Sequence, residues 1–180
     1  MSKLIIFPTD TVYGIGCPIY ETESIKRIYE IKHRDLNKPL ACLCKDLKQI
    51  EEIAVVDDKA KKIIQVFMPG ALTLILKAKP LVTKKIGYQT IGVRIPNSVL
   101  AQALLEENGP MLTTSVNESG EEPLNTYEEI YAAYHDLVDY IYPASEESSN
   151  VSSTVVDLTQ GEIRLLREGS ITYQQINEII

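Results

Sequence analysis

The sequence predicts an α/β domain built on a twisted, mixed sheet with flanking helices. Strand-sized apolar runs alternate along the chain with segments whose apolar residues recur at helical spacing, as expected when strands and helices follow one another. A hairpin pattern near the C-terminus adds antiparallel neighbours to the crossover connections, which makes the predicted sheet mixed. A length of 180 residues suits one domain, and we assign residues 1–180 to it.

The strands are predicted from apolar runs and from the residues that end them. The first ends at Pro8, which cannot donate to a strand ladder. Residues 40–44 are apolar throughout, as in a strand that is buried on both faces. Residues 162–167 pair with the preceding strand around Gln160 and Gly161. In chain order the predicted strands are residues 3–7, 40–44, 71–77, 90–95, 111–115, 138–142, 151–158 and 162–167.

The helices are predicted from apolar stripes and capping residues. Ala60, Ile63, Ile64 and Phe67 recur at i, i+3, i+4 and i+7, and Pro69 with Gly70 ends that helix. The polar residues 146–150 predict a loop. The other predicted helices are residues 23–32, a short helix capped by Asp46, one capped by Asn97 and closed by Gly109, one that begins at Thr126, and residues 171–179.

Composition and charge exclude several classes of protein. No apolar run approaches the ~18 residues of a membrane helix, and the N-terminal apolar stretch is too short for a signal peptide. We therefore expect a cytoplasmic protein without membrane contact. Cys17, Cys42 and Cys44 suit neither a disulfide scaffold nor a zinc site, and we expect them to be reduced core residues.

The charge is divided unevenly along the chain. The net charge of −7 argues against tight nonspecific binding to nucleic acid. Residues 1–100 nevertheless contain 16 Lys and Arg against 10 Asp and Glu, whereas residues 101–180 contain 2 against 15. The first part can therefore form a local basic surface, unless the two parts neutralise each other on folding.

Two segments within the first forty residues suit anion binding. Residues 8–16 follow a strand and are rich in hydroxyls and glycine, so their N–H groups and threonines can approach a ligand. The alternative is a plain turn that needs glycine dihedrals. If the chain is extended after its first helix, Lys32 and Arg34 point to the same side. With Lys38 they would form a phosphate clamp, and a solvated helix end is the alternative.

Three later segments place polar side chains at strand ends. Arg94 lies on the opposite face of its strand from its two apolar neighbours, and Gly92 leaves room for a carboxylate beside the guanidinium; an exposed strand arginine is the alternative. Residues 113–119 bring hydroxyls and an amide to the end of a buried strand, where α/β sheets bind ligands, although a turn could use the same groups. Ser153 and Arg167 belong to neighbouring ends of the predicted hairpin.

Several catalytic signatures are missing from the sequence. It contains no Walker A loop, no three-glycine dinucleotide fingerprint and no Gly-x-Ser-x-Gly elbow. Its two histidines stand in no suggestive setting. The remaining cations and hydroxyls suit the positioning and charge stabilisation of phosphates better than covalent catalysis.

Together, these segments resemble the YrdC family, the threonylcarbamoyl-AMP synthases. The resemblance implies a YrdC-like twisted open sheet with a deep, concave, positively charged site, in the short single-domain form. It implies a nucleotidyltransferase that converts L-threonine, bicarbonate and ATP into L-threonylcarbamoyladenylate and pyrophosphate. A second enzyme complex would then transfer the threonylcarbamoyl group to tRNA. The matching stretches keep the family's order and are residues 8–16, 32–34, 38–40, 69–73, 92–96, 114–120, 153–158 and 166–169.

Position by position, the resemblance also implies roles for site residues. Lys32 and Arg34 would be catalytic, holding bicarbonate or phosphates, and we expect their replacement by alanine to lower activity without unfolding the protein. Arg94 would bind the carboxylate of threonine. Mg²⁺ is expected to accompany ATP without a dedicated protein site. The implied ATP-binding residues are Arg34, Lys38, Thr90, Ser115, Asn117 and Arg167, and the implied threonine-binding residues are Thr11, Arg94, Thr113 and Ser153.

Two other functions remain as alternatives at this point. One is a double-stranded RNA or tRNA-binding module without chemistry of its own, which the net charge disfavours. A weak RNA contact would also be compatible with the synthase. The other is a carbamoyl-transfer enzyme, because hydrogenase maturation proteins contain a related domain beside further domains that this sequence lacks. Some relatives use a histidine near the position of Leu43 to bind threonine, and this chain has none there.

Overall fold

A computed structural model of the protein describes residues 3–144 and 147–180. Its strands form one nine-stranded mixed sheet in the order β7-β1-β2-β6-β3-β5-β4-β8-β9. The pairs β1–β7, β3–β5 and β4–β8 are parallel, and the other neighbours are antiparallel. The strands are β1 (Ile5–Phe7), β2 (Gly14–Pro18), β3 (Ala41–Leu43), β4 (Leu72–Lys77), β5 (Thr90–Arg94), β6 (Met111–Ser115), β7 (Tyr140–Ile141), β8 (Thr154–Asp157) and β9 (Arg164–Arg167).

The helices begin largely where the capping residues predict. Asp46 caps α2 and Thr126 caps α6, but Ser98 rather than Asn97 caps α5, since its hydroxyl accepts from the Ala101 N–H at 3.2 Å. Within the described residues, no helix has the length and apolar character needed to cross a bilayer. The helices are α1 (Thr22–Ile31), α2 (Leu47–Ile53), α3 (Asp58–Phe67), α4 (Pro80–Ile86), α5 (Val99–Asn108), α6 (Tyr127–Tyr134) and α7 (Tyr173–Asn177).

One face of the sheet carries the main hydrophobic core. Alternate side chains of the central strands point to this face, including Ile15, Leu112, Val93 and Val156, and all four are almost fully buried. The stripes of α1 and α3 pack on the same core through residues such as Ile28 and Ile63. The three cysteines are free and buried, in agreement with their predicted core role. The predicted α/β class with a mixed sheet is confirmed.

The opposite face of the sheet is covered only at one end. There α5 packs on Ile5, Phe7, Leu43 and Met111 to form a second, smaller core. Across the rest of this face the alternate residues are mainly glycine, threonine, serine and arginine. The sheet therefore presents a polar surface where a second helical layer would otherwise lie.

The sequence did not predict two elements, β2 and α4. The glycines of β2 weaken its strand pattern, so the sequence predicts a loop over the whole of residues 8–16. The turn in fact gives way to a strand at Gly14. Neither Gly14 nor Gly16 has a positive φ, so the glycine-dihedral alternative is wrong for these two positions. The polar loop predicted at residues 146–150 includes Glu146, which lies outside the described residues; residues 147–150 contain no helix or strand.

Candidate functional site

A cavity lies on the uncovered face of the sheet. Its volume is about 340 Å³, and its wall is built from seven neighbouring strands, from β2 to β9 in sheet order. Three arginines line it, and among the described residues no aspartate or glutamate does. The cavity therefore offers an environment for anions. Its polar lining consists of Thr9, Thr11, Tyr13, Arg34, Thr73, Thr90, Arg94, Thr113, Thr114, Ser115, Ser152, Ser153 and Arg167.

Small residues give the cavity its depth. Gly16, Thr113, Ala41 and Gly92 are successive partners across four adjacent strands. A Cβ atom on Gly16 would lie only 2.7 Å from Thr113 Oγ1. Gly14, which lines the cavity on the same face, has the same constraint, because a Cβ atom there would lie 2.6 Å from Thr113 Cγ2. The floor of the site therefore consists of backbone and short side chains that leave room above the sheet.

Arg94 is held at the centre of this face by three partners. Its Nε donates to the Gly70 carbonyl at 2.9 Å, Nη1 to Thr11 Oγ1 at 2.6 Å, and Nη2 to Asp10 Oδ1 at 2.6 Å. The side chain is only 7% exposed. Burial lowers the pKa of Arg94, which the Asp10 carboxylate partly opposes. The guanidinium is thereby fixed in one orientation, a prerequisite for two-point recognition of a carboxylate.

A second guanidinium stands close to the first. Arg167 Nε donates to the Ser153 carbonyl at 2.9 Å and Nη2 to Ser153 Oγ at 3.3 Å, while that hydroxyl lies 2.8 Å from Thr73 Oγ1. Burial lowers the pKa of Arg167, and its charge further disfavours the charged form of Arg94. An anion bound between them would relieve this repulsion.

The end of α1 separates Lys32 from Arg34. His33 takes a positive φ of 46°, its N–H donates to the Glu30 carbonyl, and the Arg34 N–H donates to the Tyr29 carbonyl. These two bonds form a Schellman motif that reverses the chain direction. The extended geometry expected after the helix is therefore wrong: Arg34 lines the cavity, whereas Lys32 does not.

Lys32 is buried in a cage of oxygen atoms. Its ammonium donates to the Ser115 carbonyl at 2.5 Å and to the backbone and side-chain oxygens of Asn117, both at 2.7 Å. The residue is 1% exposed. Burial lowers its pKa to about 8, and the charge of Arg34 adds to this effect. Lys32 is therefore neither a cavity residue nor a solvated helix end. Its removal would break three hydrogen bonds in a buried place, which argues against the expectation that the fold tolerates its loss.

The structure brings most of the sequence-predicted site residues together. Three predicted site residues do not line the cavity: Lys32, Lys38 and Asn117. Lys32 nevertheless donates to the Asn117 side chain, which also accepts from the cavity residue Ser115. Sequence reasoning gave no role to Asp10 or Thr73; Thr73 could have been found as the polar residue within an apolar strand. The predicted residues that line the cavity are Thr11, Arg34, Thr90, Arg94, Thr113, Ser115, Ser153 and Arg167.

No group of three or more metal-binding side chains is present within residues 3–144 and 147–180. The charged side chains among the described lining residues are three guanidiniums. Guanidiniums repel a divalent cation and do not bind it. The described lining of the cavity therefore offers no carboxylate that could hold a divalent cation directly.

The fold and the cavity define a mixed-sheet α/β domain that carries an arginine-lined site on its open face. The chain belongs to the Sua5/YciO/YrdC family, whose model, described as "Telomere recombination", matches residues 1–169. The recognition made from the sequence motifs is thereby confirmed.

Named relatives extend this result. The chain is 37% identical over 174 residues to a putative threonylcarbamoyl-AMP synthase of Methanocaldococcus jannaschii, which covers 97% of this chain and 83% of the relative. It is also 37% identical to the threonylcarbamoyl-AMP synthase of Bacillus subtilis, over 99% of this chain and 53% of that protein. The crystal structure of Pyrococcus abyssi Sua5 with L-threonine is 32% identical and superposes with a TM-score of 0.92, over 99% of this chain and 54% of the other. The chain thus spans about half the length of the last two relatives.

Proposed function

We propose that the protein is a threonylcarbamoyl-AMP synthase, a nucleotidyltransferase that uses L-threonine, bicarbonate and ATP. The observation that carries this proposal is the pairing of a buried guanidinium, Arg94, with a more exposed one, Arg167, in one cavity rich in hydroxyls. The reaction must bring a carboxylate, a carbamate and a triphosphate close together, and fixed cations offset their mutual repulsion. The names of the relatives support the same activity.

Threonine is proposed to bind on the Arg94 side of the cavity. Its carboxylate would accept two parallel hydrogen bonds from the Arg94 guanidinium. The hydroxyls of Thr11, Thr113 and Ser153 line the cavity around this point and can bond the ammonium or side-chain hydroxyl. The Pyrococcus abyssi protein was crystallised with L-threonine, which supports a threonine subsite in this fold.

ATP is proposed to occupy the remaining part, with Arg34 and Arg167 on its phosphates. Thr90 and Ser115 line the same cavity and are assigned to the nucleotide. Lys38 and Asn117 do not line it, so we assign Asn117 a supporting role through its bond to Lys32 and Lys38 a role in long-range attraction. Mg²⁺ is proposed to enter on the triphosphate, and ATP itself suggests a cytoplasmic location.

The proposed chemistry has two steps. The neutral amine of threonine attacks the carbon of bicarbonate, and loss of water leaves an N-carboxylate. A carboxylate oxygen then attacks the α-phosphorus of ATP, the bond to the β-phosphate oxygen breaks, and pyrophosphate leaves. The cavity would accelerate the second step by holding both reactants in line and by stabilising charge on the phosphate oxygens. A separate transferase complex is proposed to pass the product to tRNA.

Pyrophosphate release tests the proposal directly. With Mg²⁺-ATP, L-threonine and bicarbonate present, we expect release that stops when either threonine or bicarbonate is withheld from a CO₂-free buffer. A suitable control variant is Arg164→Ala, because Arg164 is an exposed arginine of β9 whose side chain lies outside the cavity. Turnover that is indifferent to threonine would overturn the proposal. Tight tRNA binding without ATP turnover would favour the RNA-binding module instead.

A further inference from the structure

Arg34 is presented to the cavity by an exposed loop, residues 34–39, which we call the Arg34 loop. The guanidinium bonds to the loop itself: Nε donates to the Lys38 carbonyl at 2.9 Å and Nη2 to the Pro39 carbonyl at 3.0 Å. Residues 35–39 are all exposed. The position of the guanidinium therefore depends on these two loop carbonyls and on the Tyr29 hydroxyl, with which Arg34 also interacts.

Two tyrosines from outside the loop hold those carbonyls. The Tyr29 hydroxyl, at the end of α1, donates to the Lys38 carbonyl at 3.1 Å. The Tyr88 hydroxyl, just before β5, donates to the Leu36 carbonyl, and the two hydroxyl oxygens lie 3.3 Å apart. Each hydroxyl has one proton, so the pair secures two different carbonyls of the same loop.

A groove of about 170 Å³ lies beside the loop, and both tyrosine rings, Leu36, Leu40 and Ile86 line it. The backbone of the loop is bonded to the body of the domain where the loop begins, because the Arg34 N–H donates to the Tyr29 carbonyl. Beyond that point, the two tyrosine hydroxyls bond the loop carbonyls from α1 and from the segment before β5.

We propose that Tyr29 and Tyr88 act as a latch that positions Arg34 for the nucleotide. Neither hydroxyl lines the main cavity, so both are positioning residues that act through the Lys38 and Leu36 carbonyls. This inference rests on the proposed function, in which Arg34 contacts the phosphates. Releasing the latch lets the guanidinium move with the loop, and the affinity for ATP falls while the threonine subsite keeps its shape.

Conservative variants test the latch. In Tyr29→Phe and Tyr88→Phe we expect the KM and the calorimetric Kd for Mg²⁺-ATP to rise roughly threefold to tenfold, the range of one or two ordinary hydrogen bonds. The KM for threonine should change less than about twofold. The matched control is Tyr173→Phe, which removes a 3.2 Å hydroxyl bond to the Ile163 carbonyl, and neither residue lines the cavity.

The decisive experiment introduces Tyr88→Phe into the Arg34→Ala variant and measures the affinity for Mg²⁺-ATP again. If Tyr88 acts through Arg34, its substitution there adds no further loss of ATP affinity. An equal loss in both backgrounds, or an equal loss for ATP and threonine, overturns the latch. So does an unchanged ATP affinity in both phenylalanine variants while the wild type binds ATP. If the wild-type protein itself fails to bind Mg²⁺-ATP, the proposed function fails and the latch with it.

Discussion

Lys32 and Asn117 are joined by two hydrogen bonds from a single ammonium group. The Lys32 nitrogen lies 2.7 Å from the backbone oxygen of Asn117 and 2.7 Å from its side-chain oxygen. A third bond reaches the Ser115 carbonyl, and Ser115 also donates to the Asn117 side chain at 2.8 Å. The lysine thus ties the end of α1 to the segment that follows β6, where Ser115 lines the cavity.

This arrangement predicts different outcomes for two neighbouring cations. Lys32→Met should lower the free energy of unfolding by about 2–4 kcal/mol, because three hydrogen bonds from a buried ammonium are lost. Arg34→Ala should change it by less than about 0.5 kcal/mol, since that side chain is half-buried and bonds to its own loop. Urea unfolding followed by circular dichroism measures both values.

Activity distinguishes the two substitutions further. Arg34→Ala should lower kcat/KM for ATP by about a hundredfold, the scale of one lost charge-stabilising group. Arg164→Ala provides a matched control, because it removes an exposed arginine that lies outside the cavity lining. Equal stability of the Lys32→Met and Arg34→Ala variants would contradict the buried cage.

The pKa of Lys32 predicts how its stabilising effect depends on pH. Burial lowers that pKa to about 8, below the value of about 10.4 in an unfolded chain. Between these values the unfolded state binds more protons than the folded state, so the free energy of unfolding should rise with pH. Relative to Lys32→Met, we expect the wild type to gain about 1 kcal/mol per pH unit between pH 8 and pH 10.

Both proteins would be unfolded in urea at half-unit pH steps, and only their difference would be interpreted. The other lysines then cancel, because both chains contain them. A difference that falls as pH rises would mean that the pKa of Lys32 in the folded protein is raised and not lowered. The hydrogen bonds to the three oxygens would then favour the charged ammonium more than burial disfavours it.

Strand alternation and strand ends predicted part of the site. Arg94 follows from a two-residue period, which assigns Val93 to the opposite, apolar face. Thr113 and Ser115 follow from their position at the end of a buried strand. Lys32 could not be placed in this way. Its direction depends on a left-handed residue, His33, at a helix end, and a histidine gives a much weaker signal for that conformation than glycine does.

The fold was predictable wherever apolar runs are continuous. The strand β2 was not predicted, because its two glycines have no side chain that would indicate a buried face. Glycine is needed at both positions because of close contacts with β6, a strand about a hundred residues away. Long-range contacts of this kind leave no local pattern in a single sequence. The same holds for Asp10, whose importance arises from Arg94 on β5.

Arg94→Lys should raise the KM for threonine far more than the KM for ATP. A lysine can replace the charge, but it cannot donate to Gly70, Thr11 and Asp10 from one plane and still offer two parallel bonds to a carboxylate. We expect about a tenfold to hundredfold increase for threonine, equivalent to about 1.4–2.8 kcal/mol. Initial rates with each substrate varied in turn give the two constants.

The KM for ATP in the Arg94→Lys variant shows whether Arg94 belongs to the threonine half or to the nucleotide half of the cavity. A comparable increase in both constants would indicate a general electrostatic role. An increase for ATP alone would show that the two halves are assigned in the wrong order. Arg164→Lys, on the exposed edge strand, should leave both constants unchanged.

Gly14→Ala should be destabilising, and Thr113→Ser should rescue it. A Cβ atom at position 14 would lie 2.6 Å from Thr113 Cγ2, and the next heavy atom is 3.8 Å away. We expect a loss of about 1–3 kcal/mol from this overlap. Serine at position 113 keeps the hydroxyl but removes the methyl group, so the double variant should recover most of the loss.

Gly16→Ala supplies the control, because there the added atom would also meet the Leu112 backbone oxygen at 2.9 Å. That oxygen belongs to the sheet and cannot rotate away, so Thr113→Ser should restore little stability to Gly16→Ala. Urea midpoints of the six proteins, the wild type included, complete both double-mutant cycles. If Thr113→Ser rescues the two alanine variants equally, or rescues neither, then side-chain contact with Thr113 is not the reason for glycine at position 14.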